Sequence, residues 1–299
     1  MRTFNIVLLA IWVGVIILAS HAMGQQAYNW LPIAAAAEAE PVGHLFSFLV
    51  TLGTIVFLGV MGVLMYSILF YRAANNDKSD APTIRGNLKL EIIWTVVPIL
   101  LVTWIASYSY TIYQRMNTLG SLPLAHLHVL EAHAYAETVS SNMQPAEQIE
   151  VIAKQWSWSF RYPSHNVTST ELHLPVNQPV HLMLQSEDVV HGFFVPNFRI
   201  KQDIFPNQTI EFKFTPNRIG QYQLHDSKFS GTYFALMEAT VSVDSPEQYS
   251  QWLAKAATKP SVPAVNPAMS EHRQPPDIPV RSHWRTVPPT QPPVVNHSG

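Results

Sequence analysis

The sequence predicts a membrane-anchored α+β protein, with N-terminal transmembrane helices followed by a Greek-key β-sandwich. Three observations carry this expectation. Charged residues make up only 13% of the 299 residues and apolar residues 47%, a balance that suits a chain lying partly in a bilayer. Three long apolar runs, Phe4 to Ser20, Val42 to Tyr71 and Ile92 to Tyr113, crowd the N-terminal part. From Gln148 onward the pattern changes to short alternating strands, as in sandwiches and barrels. The formal net charge of −2 gives no reason to expect a nucleic-acid partner. The chain has no Cys, which excludes disulfides, zinc-thiolate sites and lipid attachment through a cysteine.

The first run follows Arg2 and is uncharged. Residues 1–27 read as a signal peptide cleaved near Ser20-His21-Ala22, or as a first transmembrane helix. Residues 28–116 read as a transmembrane helical hairpin. Tyr108, Tyr110 and Tyr113 close its second helix, at an interface level where tyrosines are favoured. Arg72, Lys78, Arg85 and Lys89 lie between the two helices, which places that loop in the cytoplasm and everything after Tyr113 outside.

Residues 117–147 read as a polar connector. Ile149, Val151, Trp156, Trp158, Phe160 and Tyr162 then alternate, with an interruption near Lys154. Further strands are expected at Glu171–Leu174, Val180–Leu184, Gly192–Val195, Ile210–Phe214, Tyr222–Leu224 and Phe234–Val243, punctuated by Pro, Asn and Gly. Ser245-Pro246-Glu247 looks like a helix start, with Ser245 as N-cap and Pro246 in the first position. The domain is expected to span 148–256. Ten prolines fall in the 41 residues from Lys259, so 257–299 reads as a disordered Pro-rich tail.

Four stretches, in order, give the chain a family resemblance. They are Leu90-Glu91-Ile92-Ile93-Trp94-Thr95-Val96-Val97-Pro98, the aromatic run Gln155–Pro163, Asp188-Val189-Val190-His191 with Val195–Asp203, and Gly220–Met237. Together they resemble subunit II of the haem-copper terminal oxidases, over about residues 28–256. The resemblance implies a cupredoxin-like domain on the outer, periplasmic or lumenal, face of a bacterial cell membrane or other respiratory membrane. It implies subunits I and III as partners, together with membrane lipid, and haems and CuB in subunit I.

In the family the last stretch binds the binuclear copper centre CuA through Cys-x-Glu-x-Cys-Gly-x-x-His-x-x-Met. Here Asp226 and Ser230 stand at the Cys positions, Lys228 at the Glu and Phe234 at the His; Met237 and the upstream His191 remain. Soft thiolates are what suit copper that cycles through Cu(I). CuA is therefore excluded by chemistry, and no cofactor is expected in this chain. The wording of Phe229–Met237 is most similar to the alternative respiratory terminal oxidases of cyanobacterial type, which lack CuA. The implied complex oxidises quinol and reduces oxygen with proton translocation. Two alternatives stay open: cytochrome c as the donor without CuA, and a free-standing membrane-anchored copper-binding or interaction module.

The resemblance assigns Glu91 to the mouth of the K-type proton path of subunit I, against a plain interfacial carboxylate beside Lys89. Trp156 matches the electron-entry aromatic of cytochrome c-using members, a role left empty without CuA, so packing is the expected one. A mononuclear copper site from His191, His225 and Met237 is the rival reading of the loop. Against it, His225 should face the other side of its strand from position 226. Lys228 cannot ligate the magnesium held by the family Glu, and is expected to pair with a carboxylate or haem propionate of subunit I.

Overall fold

The structure is a computed structural model that describes residues 2–72, 86–116, 147–273 and 287–298. Most of the loop between the second and third helices, the connector up to 146 and residues 274–286 lie outside the described residues. The chain divides into two compact units, one of residues 1–31 and 41–116, the other of residues 32–40 and 117–299.

Among the described residues the first unit holds three long helices, α1 (Arg2–Ala27), α2 (Ala39–Phe70) and α3 (Leu88–Met116). All three contain stretches long and apolar enough to cross a membrane. Helices α1 and α2 approach closely where Gly24 lacks a side chain: a Cβ there would collide with Thr51, and Ser47 Oγ donates to the Gly24 carbonyl at 2.8 Å. Small residues and hydroxyls bring helices together in lipid, where apolar burial offers no net gain. Helix α3 starts under the cap of Asn87, whose Oδ1 accepts from the Lys89 amide at 3.1 Å. This leaves Glu91 exposed in the first helical turn, where the helix dipole favours a negative charge.

The second unit is a sandwich of two five-stranded sheets. Its strands are β1 (Glu147–Lys154), β2 (Ser157–Tyr162), β3 (Val167–Ser169), β4 (Leu172–Pro175), β5 (Val180–Ser186), β6 (His191–Val195), β7 (Ile200–Ile204), β8 (Ile210–Phe214), β9 (Gly220–Asp226) and β10 (Glu238–Asp244). One sheet has the order β3-β2-β1-β5-β8, the other β4-β10-β9-β6-β7. The alternating residues Ile149, Val151, Trp158, Phe160 and Tyr162 are buried in one shared core. The interruption near Lys154 is the turn between β1 and β2.

Helix α4 (Pro246–Ala257) follows β10. Ser245 caps it, with Pro246 in the first turn and a reciprocal bond from Gln248 closing a capping box. Its half-apolar face packs Tyr249 and Leu253 into the core.

Several expectations need correction. Phe234–Leu236 is a 3-10 turn and the strand starts at Glu238, because the chain must first leave the loop that carries Gly231 at φ 118°. The short strands β3 and β7 are additions to the expected set; β7 carries Lys201, Gln202 and Asp203 and lies at the edge of its sheet, where polar residues weaken the alternation signal.

The domain is also not bounded by 148–256. Residues 32–40, expected within the hairpin, bond to the sandwich: Ala35 N–H donates to Asn197 O at 3.0 Å and Ala37 N–H to Thr215 O at 2.9 Å.

In the stretch expected as a disordered tail, the described residues carry β11 (Val262–Pro263), α5 (Pro267–Arg273) and β12 (Val294–Val295). The prolines there are compatible with order because backbone bonds from other residues satisfy the chain: Thr290 N–H donates to Gln155 O at 2.8 Å and Asn296 N–H to Thr168 O at 2.8 Å.

Candidate functional site

Strands β6 and β9 pair so that Phe193 lies opposite Asp226. This register brings His191, the first residue of β6, beside Asp226, the last residue of β9. His191 Nδ1 and Asp226 Oδ2 are 2.8 Å apart, and both side chains are fully buried. Asp226 Oδ2 also accepts from Ser230 Oγ at 2.8 Å. Its Oδ1 accepts from the Gly192 amide at 2.7 Å and the Lys228 amide at 3.0 Å. On the other side of the imidazole, His191 Nε2 lies 2.9 Å from Asp188 Oδ1. Asp188 is itself held by the amides of Gln155 and Val189, both at 2.7 Å.

Electrostatics bias the protonation of this network. Burial alone would raise Asp226, but the bonds from His191, the Lys228 and Gly192 amides and Ser230 outweigh it and hold its pKa below the usual range. Asp188 is lowered in the same way, with burial opposed by His191 and two amides. An ionised carboxylate only accepts hydrogen bonds, so the two carboxylates together favour the protonated ring, which donates from both nitrogens. Burial would lower the His191 pKa, yet the bonds to Asp188 and Asp226 leave it raised.

These directions set a pH window. The raised histidine contributes stability that is complete below the ordinary value of about 6.5 and lost as pH rises through its folded pKa. The lowered carboxylates contribute stability present above about 3.9 and lost as pH falls through theirs. The difference in melting temperature between wild type and His191→Gln is therefore expected to be largest between about pH 4 and 6.5, and to narrow on both sides. A difference that stays constant from acid to alkaline pH would contradict the charged network.

The remaining positions of the loop close around this network. Met237 is buried, and its carbonyl accepts from the Asp226 amide and from Trp158 Nε1, both at 3.1 Å. Phe234 packs on the exposed Phe229, ring centroids 5.2 Å apart. Trp156 is only 1% exposed; its Nε1 donates to Ser230 O at 3.2 Å and its ring meets Tyr233 edge-on. A Cβ at Gly231 would lie 2.7 Å from the Trp156 ring, so the loop needs glycine there.

His225 does face away from Asp226, where it pairs with Glu238 at 3.0 Å. The structure thus brings His191, Asp226, Ser230 and Met237 together and leaves His225 apart. Within the chain Lys228 pairs with Asp203 at 2.8 Å. Sequence alone gives no role to Asp188; its place three residues before His191 is the one available signal.

The fit of CuA to these residues turns on donor chemistry. Their positions offer a carboxylate and a hydroxyl in place of thiolates, and both nitrogens of His191 are engaged by carboxylates. The pocket does not fit CuA.

The fold and site define a membrane-anchored protein with a cupredoxin-like outer domain that holds a buried Asp–His–Asp network at the paired ends of β6 and β9. The family models for the transmembrane domain and the periplasmic domain of cytochrome c oxidase subunit II match residues 20–112 and 167–244. The chain is 32% identical over 276 residues to cytochrome c oxidase subunit 2 of Synechocystis sp., covering 83% of this chain and 82% of that protein. It is 26% identical over 218 residues to cytochrome bo(3) ubiquinol oxidase subunit 2 of Buchnera aphidicola, covering 72% and 68%. Among solved structures, the periplasmic domain of subunit II of cytochrome oxidase from Bradyrhizobium japonicum matches with 24% identity and a TM-score of 0.35, covering 38% of this chain and 95% of that one. The chain belongs to the cytochrome c oxidase subunit II family. It is a membrane-bound, non-catalytic-centre subunit of a haem-copper oxidase, with its soluble domain outside.

Proposed function

We propose that this subunit works without CuA, in an oxidase whose quinol donor delivers electrons directly to subunit I. One observation carries the reading: the 299 residues hold no Cys, and both nitrogens of the remaining family histidine, His191, are engaged by carboxylates. No electron relay can be built from that donor set. The balance of charge agrees, since residues 148–256 carry ten acidic and eight basic side chains with no acidic run to dock a basic cytochrome. The ubiquinol oxidase name of the Buchnera aphidicola relative supports the same donor. Cytochrome c without CuA is the second reading, supported by the cytochrome c oxidase name of the Synechocystis relative. Oxygen uptake by the purified complex separates them. Turnover with quinol and little with reduced cytochrome c is expected; the reverse would overturn the proposal.

In this reading the chain supplies an anchor, a structural cap against subunits I and III, and a proton-entry carboxylate. Helix α1 serves as a retained third span, consistent with its Gly24 contact to α2. Glu91 sits exposed in the capped first turn of α3, free to exchange protons with water and pass them to subunit I. Glu91→Gln keeps size and shape but cannot carry a proton, and is expected to slow oxygen uptake by up to about 100-fold without preventing assembly. Wild-type turnover across pH in the purified mutant complex would remove Glu91 from the proton path.

A further inference from the structure

A second cluster of ligating side chains lies on another part of the sandwich. Glu171 and His173 flank Leu172 at the start of β4, and His297 arrives from the C-terminal strap of residues 287–298. One ligand atom from each lies within 4.8 Å of the other two. Glu171 Oε2 is 3.5 Å from His173 Nε2 and 3.2 Å from His297 Nε2. A tetrahedral zinc ion, with bonds of about 2.0–2.2 Å to nitrogen and oxygen, sets its ligand atoms about 3.4 Å apart. The two observed spacings bracket that edge.

We propose that Glu171, His173 and His297 bind a divalent transition-metal ion of the zinc class, which staples the C-terminal strap to the sandwich. The imidazole of His173 is built for the task. Its Nδ1 lies 2.7 Å from Asp244 Oδ2, the carboxylate–histidine arrangement that fixes the tautomer and aims the other nitrogen at a metal. Its ring is stacked on Trp252 with centroids 3.9 Å apart. His173 is 9% exposed, and its buried Nε2 makes no hydrogen bond; the 3.5 Å to Glu171 is too long for a good one. Asp244 sits on one ring nitrogen and the Glu171 carboxylate faces the other at 3.5 Å, so a cation placed between Nε2 and Glu171 would find both donors already aimed at it.

The strap delivers His297 in register. Thr170 N–H donates to His297 O at 3.1 Å, and His297 N–H to Thr168 O at 3.2 Å. Glu171 and His297 side chains are 24% and 22% exposed, which leaves an entry path and room for a water as fourth ligand. Lys259 Nζ, 3.4 Å from His297 Nδ1, is exposed and has to turn aside when that nitrogen carries the proton.

The test is a Zn²⁺ titration of the full chain in detergent, by calorimetry, with melting curves recorded in parallel. One zinc per chain is expected, with a rise in melting temperature. Binding should be lost in His297→Gln and in Glu171→Gln, weakened about 10–100-fold in Asp244→Asn, and unchanged in His225→Gln. Cobalt(II) at the same site should give the intense visible bands of four-coordination. Melting curves without metal show which variants are folded, and either ligand variant alone is sufficient to decide. Absence of stoichiometric zinc in wild type would overturn the proposal, as would zinc retained in a folded His297→Gln or Glu171→Gln chain.

Discussion

Four substitutions, Asp226→Cys, Lys228→Glu, Ser230→Cys and Phe234→His, are expected to make the full chain take up two coppers and turn purple. The structure supplies the geometric reason. Asp226 Oδ2 and Ser230 Oγ are already 2.8 Å apart, and His191 Nδ1 is 2.8 Å from the same carboxylate. The backbone of 226 is bonded to that of Met237 at 3.1 Å. Cysteines at 226 and 230 would therefore face one another beside His191, in a frame that need not rearrange, and metal sites tolerate only small errors in geometry. Asp188 stays on His191 Nε2 at 2.9 Å, orienting the ring and leaving Nδ1 for the metal. Phe234 is only partly buried against the core, so its replacement should cost less than the ~3–5 kcal/mol of deleting a fully buried Phe. The full chain is the right vehicle, because residues 32–40 and 287–298 both bond to the sandwich. A folded quadruple variant that takes up no copper would mean that the loop is not a former CuA loop.

Asp226→Ala should destabilise the outer domain by about 3–5 kcal/mol, the usual result of breaking a buried ion pair from one side. Its side chain is fully buried, and its loss strands the His191 ring, the amides of Gly192 and Lys228 and the Ser230 hydroxyl. The melting temperature should fall by about 6–20 °C for a domain of this size. Asp226→Asn keeps the shape and some of the bonds, and should fall less. A loss below about 1 kcal/mol for the alanine variant would show that the network contributes little to stability.

Much of the fold was legible because it rests on periodicity and punctuation. The three apolar runs, the buried alternation from Ile149 to Tyr162 and the Ser245–Gln248 cap are each local signals. The misses are non-local. Residues 32–40 and the C-terminal strap owe their order to backbone bonds with distant strands, which no window of sequence displays. At the candidate site, the missing thiolates, the surviving His191 and the outward His225 could be read from position alone. The role of Asp226 could not, since it needs the pairing of β6 with β9 to bring residue 226 to residue 191. Asp188 and Lys228 were likewise given partners by the fold: the imidazole for one, Asp203 for the other.

The central claim is that the loop holds no copper because its positions are satisfied by hydrogen bonds. Its most direct test is the copper retained by the full chain after loading and chelator washing, measured in a His297→Gln background so that the second cluster does not contribute. The expected result is no retained copper and no difference when His191→Ala is added. A stoichiometric, chelator-resistant copper that disappears with His191→Ala would contradict the claim.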